Sequence, residues 1–334
     1  MEANLPAIWA ALIGVSVVLY VIMDGFDLGV GILFPFTRDE RERDQMMNSV
    51  APFWDGNETW LVLGGGGLWV AFPAAYAIIM PALYVPIIVM LLALIFRGVA
   101  FEFRWAAKPD HSLWDIAFAG GSAVAAFAQG VVLGGLLNGI TVENGAFAGG
   151  PFDWFSPFAI ACGLGLVAGY ALLGATWLNM RVSGDLEVRA RRWAKTLLLV
   201  VLGFVLIVSV WTPLQYERIA ARWFTWPNIL YLSPVPVLTA LLAAAVWTTL
   251  EKERPFAPFA GSVGLFVLSF FGLAVSQFPY LVPDQLTVFD AAAAPESQMF
   301  LLVGTLALLP VILGYTIFVY WTFRGRVRPG EGYH

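Results

Sequence analysis

The chain has 334 residues, 60% of them hydrophobic, 15% aromatic and only 12% charged, with a mean hydropathy of +0.78 and an isoelectric point near 5.1. Apolar segments this long cannot stay in water, which excludes a soluble globular protein and makes this an all-α polytopic membrane protein. A net charge of −5 argues against nucleic acid as a partner, because that would need a basic patch.

The lone cysteine, Cys162, lies in an apolar run, which rules out a disulfide within the chain and a thiolate metal cluster. The first apolar run lacks the basic start and small-residue cleavage site of a secretory signal and reads as a retained helix. Runs of roughly 20 mostly apolar residues suffice to cross a bilayer, and nine are found: 6–36, 58–80, 83–103, 113–137, 154–180, 194–213, 229–250, 256–280 and 298–323. The first is long enough to tilt or to project beyond the membrane. Between the first two, segment 37–49 carries Arg, Asp and Glu in mixed order. It reads either as an interfacial helix with Met46, Met47 and Val50 facing lipid or as a solvated loop. Segments 138–153 and 282–295, rich in small and polar residues, read as irregular loops. No connection carries the apolar pattern of a separate domain, so the whole chain reads as one integral membrane domain.

Nine crossings place the termini on opposite sides. Fifteen of the 18 basic residues then fall on one side, Arg38, Arg41, Arg43, Arg104, Lys108, Arg181, Arg189, Arg191, Arg192, Lys195, Lys252, Arg254, Arg324, Arg326 and Arg328, against Arg218 and Arg222 on the other. The positive-inside rule therefore puts the N-terminus outside and the C-terminus in the cytoplasm.

Ionisable groups inside membrane spans are costly, so their distribution is informative. The early spans carry Asp24 and Asp27, Asp55 and Glu58, Arg97 and Glu102, and Asp115, whereas the last five carry none in their interiors. Asp24 lies roughly 27 Å along the first span, and the other groups fall toward the same face. Asp24 and Asp27 share a helix face, as do Asp55 and Glu58. Crowded carboxylates cannot all be charged in a low dielectric, which suits them to carrying protons. Each has a structural alternative: Asp55 as a helix cap, Asp24 and Asp27 as partners of Arg97, Glu102 as an ion pair with Arg104, Asp115 as a first-turn residue of the fourth span. Residues 64–67, four glycines, lack the Lys and Ser/Thr of a phosphate loop and read as a close-packing surface. His111 and His334 stand in a loop and at the end of the chain, so neither a haem nor another metal is expected on this chain.

Three segments together carry a resemblance: Asp24-Gly25-Phe26-Asp27-Leu28-Gly29-Val30-Gly31, then Asn48 through Leu61 with Trp54-Asp55-Gly56-Asn57-Glu58-Thr59-Trp60 at its centre, then Phe96-Arg97-Gly98-Val99-Ala100-Phe101-Glu102-Phe103-Arg104. In order and spacing they resemble subunit II of the cytochrome bd-type quinol oxidases of bacteria. The resemblance implies two four-helix bundles, about 6–137 and 154–280, with a peripheral helix at 298–323. It also implies a heterodimer with a haem-bearing subunit I, which holds haems b and d or, in a variant, b alone. The complex would lie in the bacterial inner membrane, oxidise quinol and reduce dioxygen to water with protons taken from the cytoplasm. A structural quinone in this subunit and a small single-helix subunit are further features it allows. By the same resemblance Asp55 begins a proton path, Glu102 lies along it where many members have Asp, and Trp60 borders a route for dioxygen. The short chain is similar to the cyanide-insensitive branch. Two other readings stay open on sequence: a proton-coupled secondary transporter, and a scaffold whose acids only cap helices and pair with Arg97.

Overall fold

The computed structural model describes residues 4–107 and 110–328; the sequence readings that rest on Lys108 and His334 lie outside them. The chain opens with α1 (Leu5–Leu33), ended by a 3-10 turn at Phe34–Phe36. After it come α2 (Glu40–Val50), α3 (Trp54–Ala71), α4 (Pro73–Ala82), α5 (Tyr84–Ala106) and α6 (Ser112–Leu137). A two-stranded hairpin, β1 (Val142–Glu143) and β2 (Ala146–Phe147), leads to α7 (Pro157–Arg181) and α8 (Asp185–Gln215). The short α9 (Glu217–Phe224) and α10 (Asn228–Leu232) precede α11 (Pro234–Glu251) and α12 (Ala257–Gln277). A second hairpin, β3 (Tyr280–Val282) and β4 (Leu286–Thr287), precedes α13 (Pro295–Thr322). Segment 138–153, expected to be irregular, thus contains a tight antiparallel hairpin turning through Asn144 and Gly145, both with positive φ, and segment 282–295 supplies the turn and second strand of another whose first strand begins at Tyr280.

Among the described residues eight helices are long and apolar enough to cross a membrane. The expected crossing 58–80 is instead divided between α3 and α4. Asp55, Asn57, Glu58 and five glycines dilute the apolar content of α3. The chain then breaks at Phe72, whose φ of −136° and ψ of 60° leave the helical region ahead of Pro73, which disfavours helix in its predecessor and donates no hydrogen bond.

The core is built around α7, which packs against α1, α6, α8 and α12. Its crossing with α1 is made by glycines: a Cβ on Gly29 would stand 1.8 Å from the Tyr170 carbonyl oxygen, and one on Gly174 would stand 2.3 Å from the Gly29 carbonyl carbon. Backbone meets backbone here, which only missing side chains permit. The four-glycine run behaves by face. Gly64 and Gly67 lie under Val17 and Ile13 of α1, while Gly65 and Gly66 have open space around them.

One expectation is corrected at α2. The helix forms, with the Asp39 carboxylate accepting from the backbone N–H of Arg41 and Glu42, but Met46, Met47 and Val50 are fully buried in the main core. They face protein rather than lipid. Gln45 of α2 donates to the carbonyls of Val327, at 2.7 Å, and Ser183. Glu42 pairs with Arg189. The helix thereby ties the end of α1 to α7, α8 and the final segment.

Candidate functional site

Asp24 and Asp27 lie in the last third of α1, Asp55 and Glu58 in the opening turns of α3, and Arg97 in the second half of α5, so the fold gathers them toward one end of the bundle. Arg97 is fully buried and stands between two carboxylates. Its Nη1 donates to Asp24 Oδ1 at 2.5 Å and its Nη2 to Glu58 Oε2 at 3.2 Å. Asp24 is as buried as the arginine, whereas the Glu58 side chain keeps 29% of its surface. Trp54 covers the guanidinium at 5.8 Å and stacks on Phe101 with ring centres 4.8 Å apart. Tyr20, one turn before Asp24 on α1, accepts a hydrogen bond from Gln129 Nε2 at 2.6 Å, and Gln129 Oε1 accepts one from the Tyr170 hydroxyl.

Asp27 is fully buried but does not touch Arg97. Its Oδ2 accepts from Asn57 Nδ2 at 2.7 Å, and the Asn57 Oδ1 accepts from the hydroxyl of Tyr320 on α13 at 2.9 Å. The partnership with Arg97 expected for both aspartates thus holds for Asp24 alone. One oxygen of each aspartate, Asp24 Oδ2 and Asp27 Oδ1, is buried without a hydrogen bond.

The acids expected in one cluster separate into two. Asp115, in the first turn of α6, belongs to a second assembly around Arg104, 1% exposed, whose Nε donates to Asp115 Oδ1 at 2.7 Å and Nη1 to Asp44 Oδ1 at 2.6 Å, with Glu40 on Nη2. Arg43 closes it on Asp115 at 2.8 Å. Arg104 is therefore spent on α2 and α6, and the ion pair expected with Glu102 does not form. Glu102 is exposed on the outer surface of α5, five residues and so about 140° around the helix from Arg97.

Asp55 is also exposed. The cap expected of it is absent: α3 starts at Trp54 with Phe53 in the cap position and no side-chain hydrogen bond there, so Asp55 acts on the helix only as a first-turn charge. Trp60 is 2% exposed, its carbonyl accepts from Ser16 Oγ at 2.7 Å, and its ring borders a narrow apolar cleft with Trp9, Ile13, Leu63 and Leu309. His111 Nδ1 lies 2.9 Å from the Arg104 carbonyl, within the charged assembly, surroundings that do not suit an iron ligand. No group of three or more metal-ligating side chains converges among the described residues.

The family model for cytochrome bd terminal oxidase subunit II matches residues 5–323. The chain belongs to this family. It is 32% identical over 357 aligned positions to the cytochrome bd-I ubiquinol oxidase subunit 2 of Escherichia coli K12, covering 96% of this chain and 94% of the relative. To the cytochrome bd ubiquinol oxidase subunit 2 of Bacillus subtilis 168 it is 31% identical, with 98% of each covered. A chain in the structure of the bd oxidase from Geobacillus thermodenitrificans superposes with a TM-score of 0.80 at 18% identity, over 96% of this chain and 98% of that one; this likeness concerns the fold. The protein is thus a subunit of a bd-type terminal oxidase, an oxidoreductase complex of the membrane.

Sequence reasoning about this subunit II missed Asn57 and Tyr320. Asn57 sat unremarked between Asp55 and Glu58, and Tyr320, 263 residues on, carried no charge to draw attention. A polar residue between two acids on a membrane helix was the available signal for Asn57; Tyr320 offered none.

Proposed function

We propose that this subunit II is the haem-free partner of a quinol-oxidising, dioxygen-reducing heterodimer, and that its Arg97-centred acids pass protons from the cytoplasmic face toward subunit I. One observation supports the reading above others: a graded series leads from exposed Asp55, through half-buried Glu58, to Arg97 and Asp24, which are wholly buried. A proton captured at Asp55 has an acid one helical turn further in, and a fixed guanidinium beyond it whose charge can be balanced by Glu58 or by Asp24. Asp27, one turn from Asp24, offers a second buried carboxylate. Glu102, on the exposed surface of α5, extends the acidic set outward.

The names of the relatives support ubiquinol as electron donor. Subunit I would hold haems b and d, or b alone in the cyanide-insensitive branch, and these supply the site of dioxygen reduction. The residues of this chain hold and move protons, and the cleft beside Trp60 offers dioxygen an apolar approach. A structural quinone and a small single-helix subunit fit the same assembly. The excess of basic residues on alternate loops supports nine crossings, α3 and α4 together forming the second, with the N-terminus outside and the C-terminus in the cytoplasm of a bacterial inner membrane.

A scaffold role is favoured by a particular contact as well: the buried Arg97 pair ties α1, α3 and α5 together, as a structural ion pair would. Turnover in an assembled complex separates the two readings, because a purely structural acid can be neutralised without slowing catalysis once assembly succeeds. The transporter alternative is tested by isolation from the native membrane in mild detergent. The oxidase reading predicts a haem-bearing partner at equal stoichiometry, and a chain isolated alone with transport activity would contradict it.

A further inference from the structure

Asn57 is 1% exposed, and the orientation of its amide is over-determined. Its Nδ2 faces Asp27 Oδ2 at 2.7 Å and the Met23 carbonyl at 3.3 Å, and the carbonyl, which can only accept, would not tolerate an oxygen in that place. Its Oδ1 must then face Tyr320, and the tyrosine hydroxyl, 2.9 Å away, must donate. The Tyr320 ring has little freedom: it stacks on Phe53 with centres 4.5 Å apart and meets Phe26 and Trp177 edge-on at 6.4 Å. The result is a one-way chain of donors, Tyr320 to Asn57 to Asp27.

Asp27 is where such a chain matters. The groups that face it are Asp24 on its own helix, Asn57 and Glu58 on α3, Arg97 on α5 and, through the amide, Tyr320 on α13. Arg97 spends its two terminal nitrogens on Asp24 and Glu58, so Asp27 has a neutral amide where the other two have a guanidinium. We infer that Asn57 and Tyr320 are positioning residues for Asp27: the tyrosine fixes which way the amide faces, and the amide holds the carboxyl within the proton-carrying cluster. This rests on the proton reading above. It also gives α13, the last helix, a part in the reaction that its distance along the chain from the acidic motifs conceals.

The test is oxygen consumption by the intact purified oxidase, in H2O and in D2O, for wild type, Tyr320→Phe, Asp27→Asn and the double variant. Tyr320→Phe keeps the ring and its stacking and is expected to retain full haem content. It should slow turnover about fivefold, the ratio that one neutral hydrogen bond of common strength corresponds to, and should raise the solvent isotope effect. In the Asp27→Asn background the same change should add nothing. Wild-type turnover in Tyr320→Phe, with Asp27→Asn slow, overturns the positioning role and leaves the proton reading intact. Wild-type turnover in Asp27→Asn takes Asp27 out of the path and overturns the inference, while the proton reading itself falls only if Asp55→Asn also turns over at the wild-type rate. A Tyr320→Phe penalty that persists in the Asp27→Asn background makes the tyrosine merely structural and overturns the inference. If Tyr320→Phe does not assemble with its haem partner, Asn57→Ser, too short to bridge the two groups, is read by the same outcomes.

Discussion

Arg97 lends each of its terminal nitrogens to a different helix, Asp24 on α1 and Glu58 on α3, and its whole side chain is out of solvent. Removing one partner of a buried pair leaves the other uncompensated, at a cost of about 3–5 kcal/mol. Arg97→Leu is therefore expected to lower the thermal midpoint of the purified complex by several degrees and to reduce the yield of assembled oxidase. A midpoint equal to wild type would mean that the buried aspartate is balanced by something else. This pairing was legible in the sequence, because a charge deep in one apolar span needs an opposite charge at the same depth in another. The fate of Arg104 was not. Its neighbour in sequence, Glu102, is nearer along the chain than Asp44 or Glu40, but two residues on a helix point about 160° apart, while α2 folds back to bring its acids within 2.6 Å.

At the scale of the elements, hydropathy alone located most ends of the long helices to within a few residues, because the bilayer imposes length and leaves backbone groups no partner but one another; α8 begins at Asp185, nine residues before the expected span, because its first turns are charged. It failed where a helix is neither long nor wholly apolar. Residues 58–80 yielded two helices because Pro73 interrupts the ladder, and α2 turned its apolar face to the core because a face of Met46, Met47 and Val50 looks alike whether lipid or protein covers it. Packing between elements depends on absences that a hydropathy profile does not weigh. Gly29 and Gly174 let α1 and α7 touch backbone to backbone, so Gly29→Ala must push the helices apart. It is expected to cost about 1–3 kcal/mol and to displace Arg97 from Asp24. Gly65→Ala, with nothing within 4 Å of the added methyl, serves as the comparison and should be neutral. Thermal denaturation of the two variants side by side decides it; equal midpoints would refute the crossing.

For the whole molecule, the division of charge is the informative property. Buried acids and Arg97 gather in α1, α3 and α5, while α8, α11, α12 and α13 carry broad apolar surfaces with many exposed large side chains. A subunit of this kind offers one place where protons can be handled and many where lipid or protein can be met. The motifs around Asp24, Asp55 and Arg97 made the family legible before any fold was known, since spacing among charged residues in apolar helices is rarely accidental. What they could not convey is that Asp55 and Glu102 stay at the surface while Asp24 and Asp27 are sealed, because burial is a property of neighbours supplied by distant helices.

If protons reach the oxidase through the acids of this subunit, Asp55 is the group where that traffic begins. The most direct measurement is quinol-driven oxygen consumption by the purified complex carrying Asp55→Asn, recorded together with its haem spectrum. Proton entry at Asp55 predicts a spectrum indistinguishable from wild type and turnover reduced at least about tenfold, a modest share of what a well-placed acid or base contributes. Unchanged turnover in the fully assembled complex would contradict it, and loss of haem would reassign Asp55 to assembly.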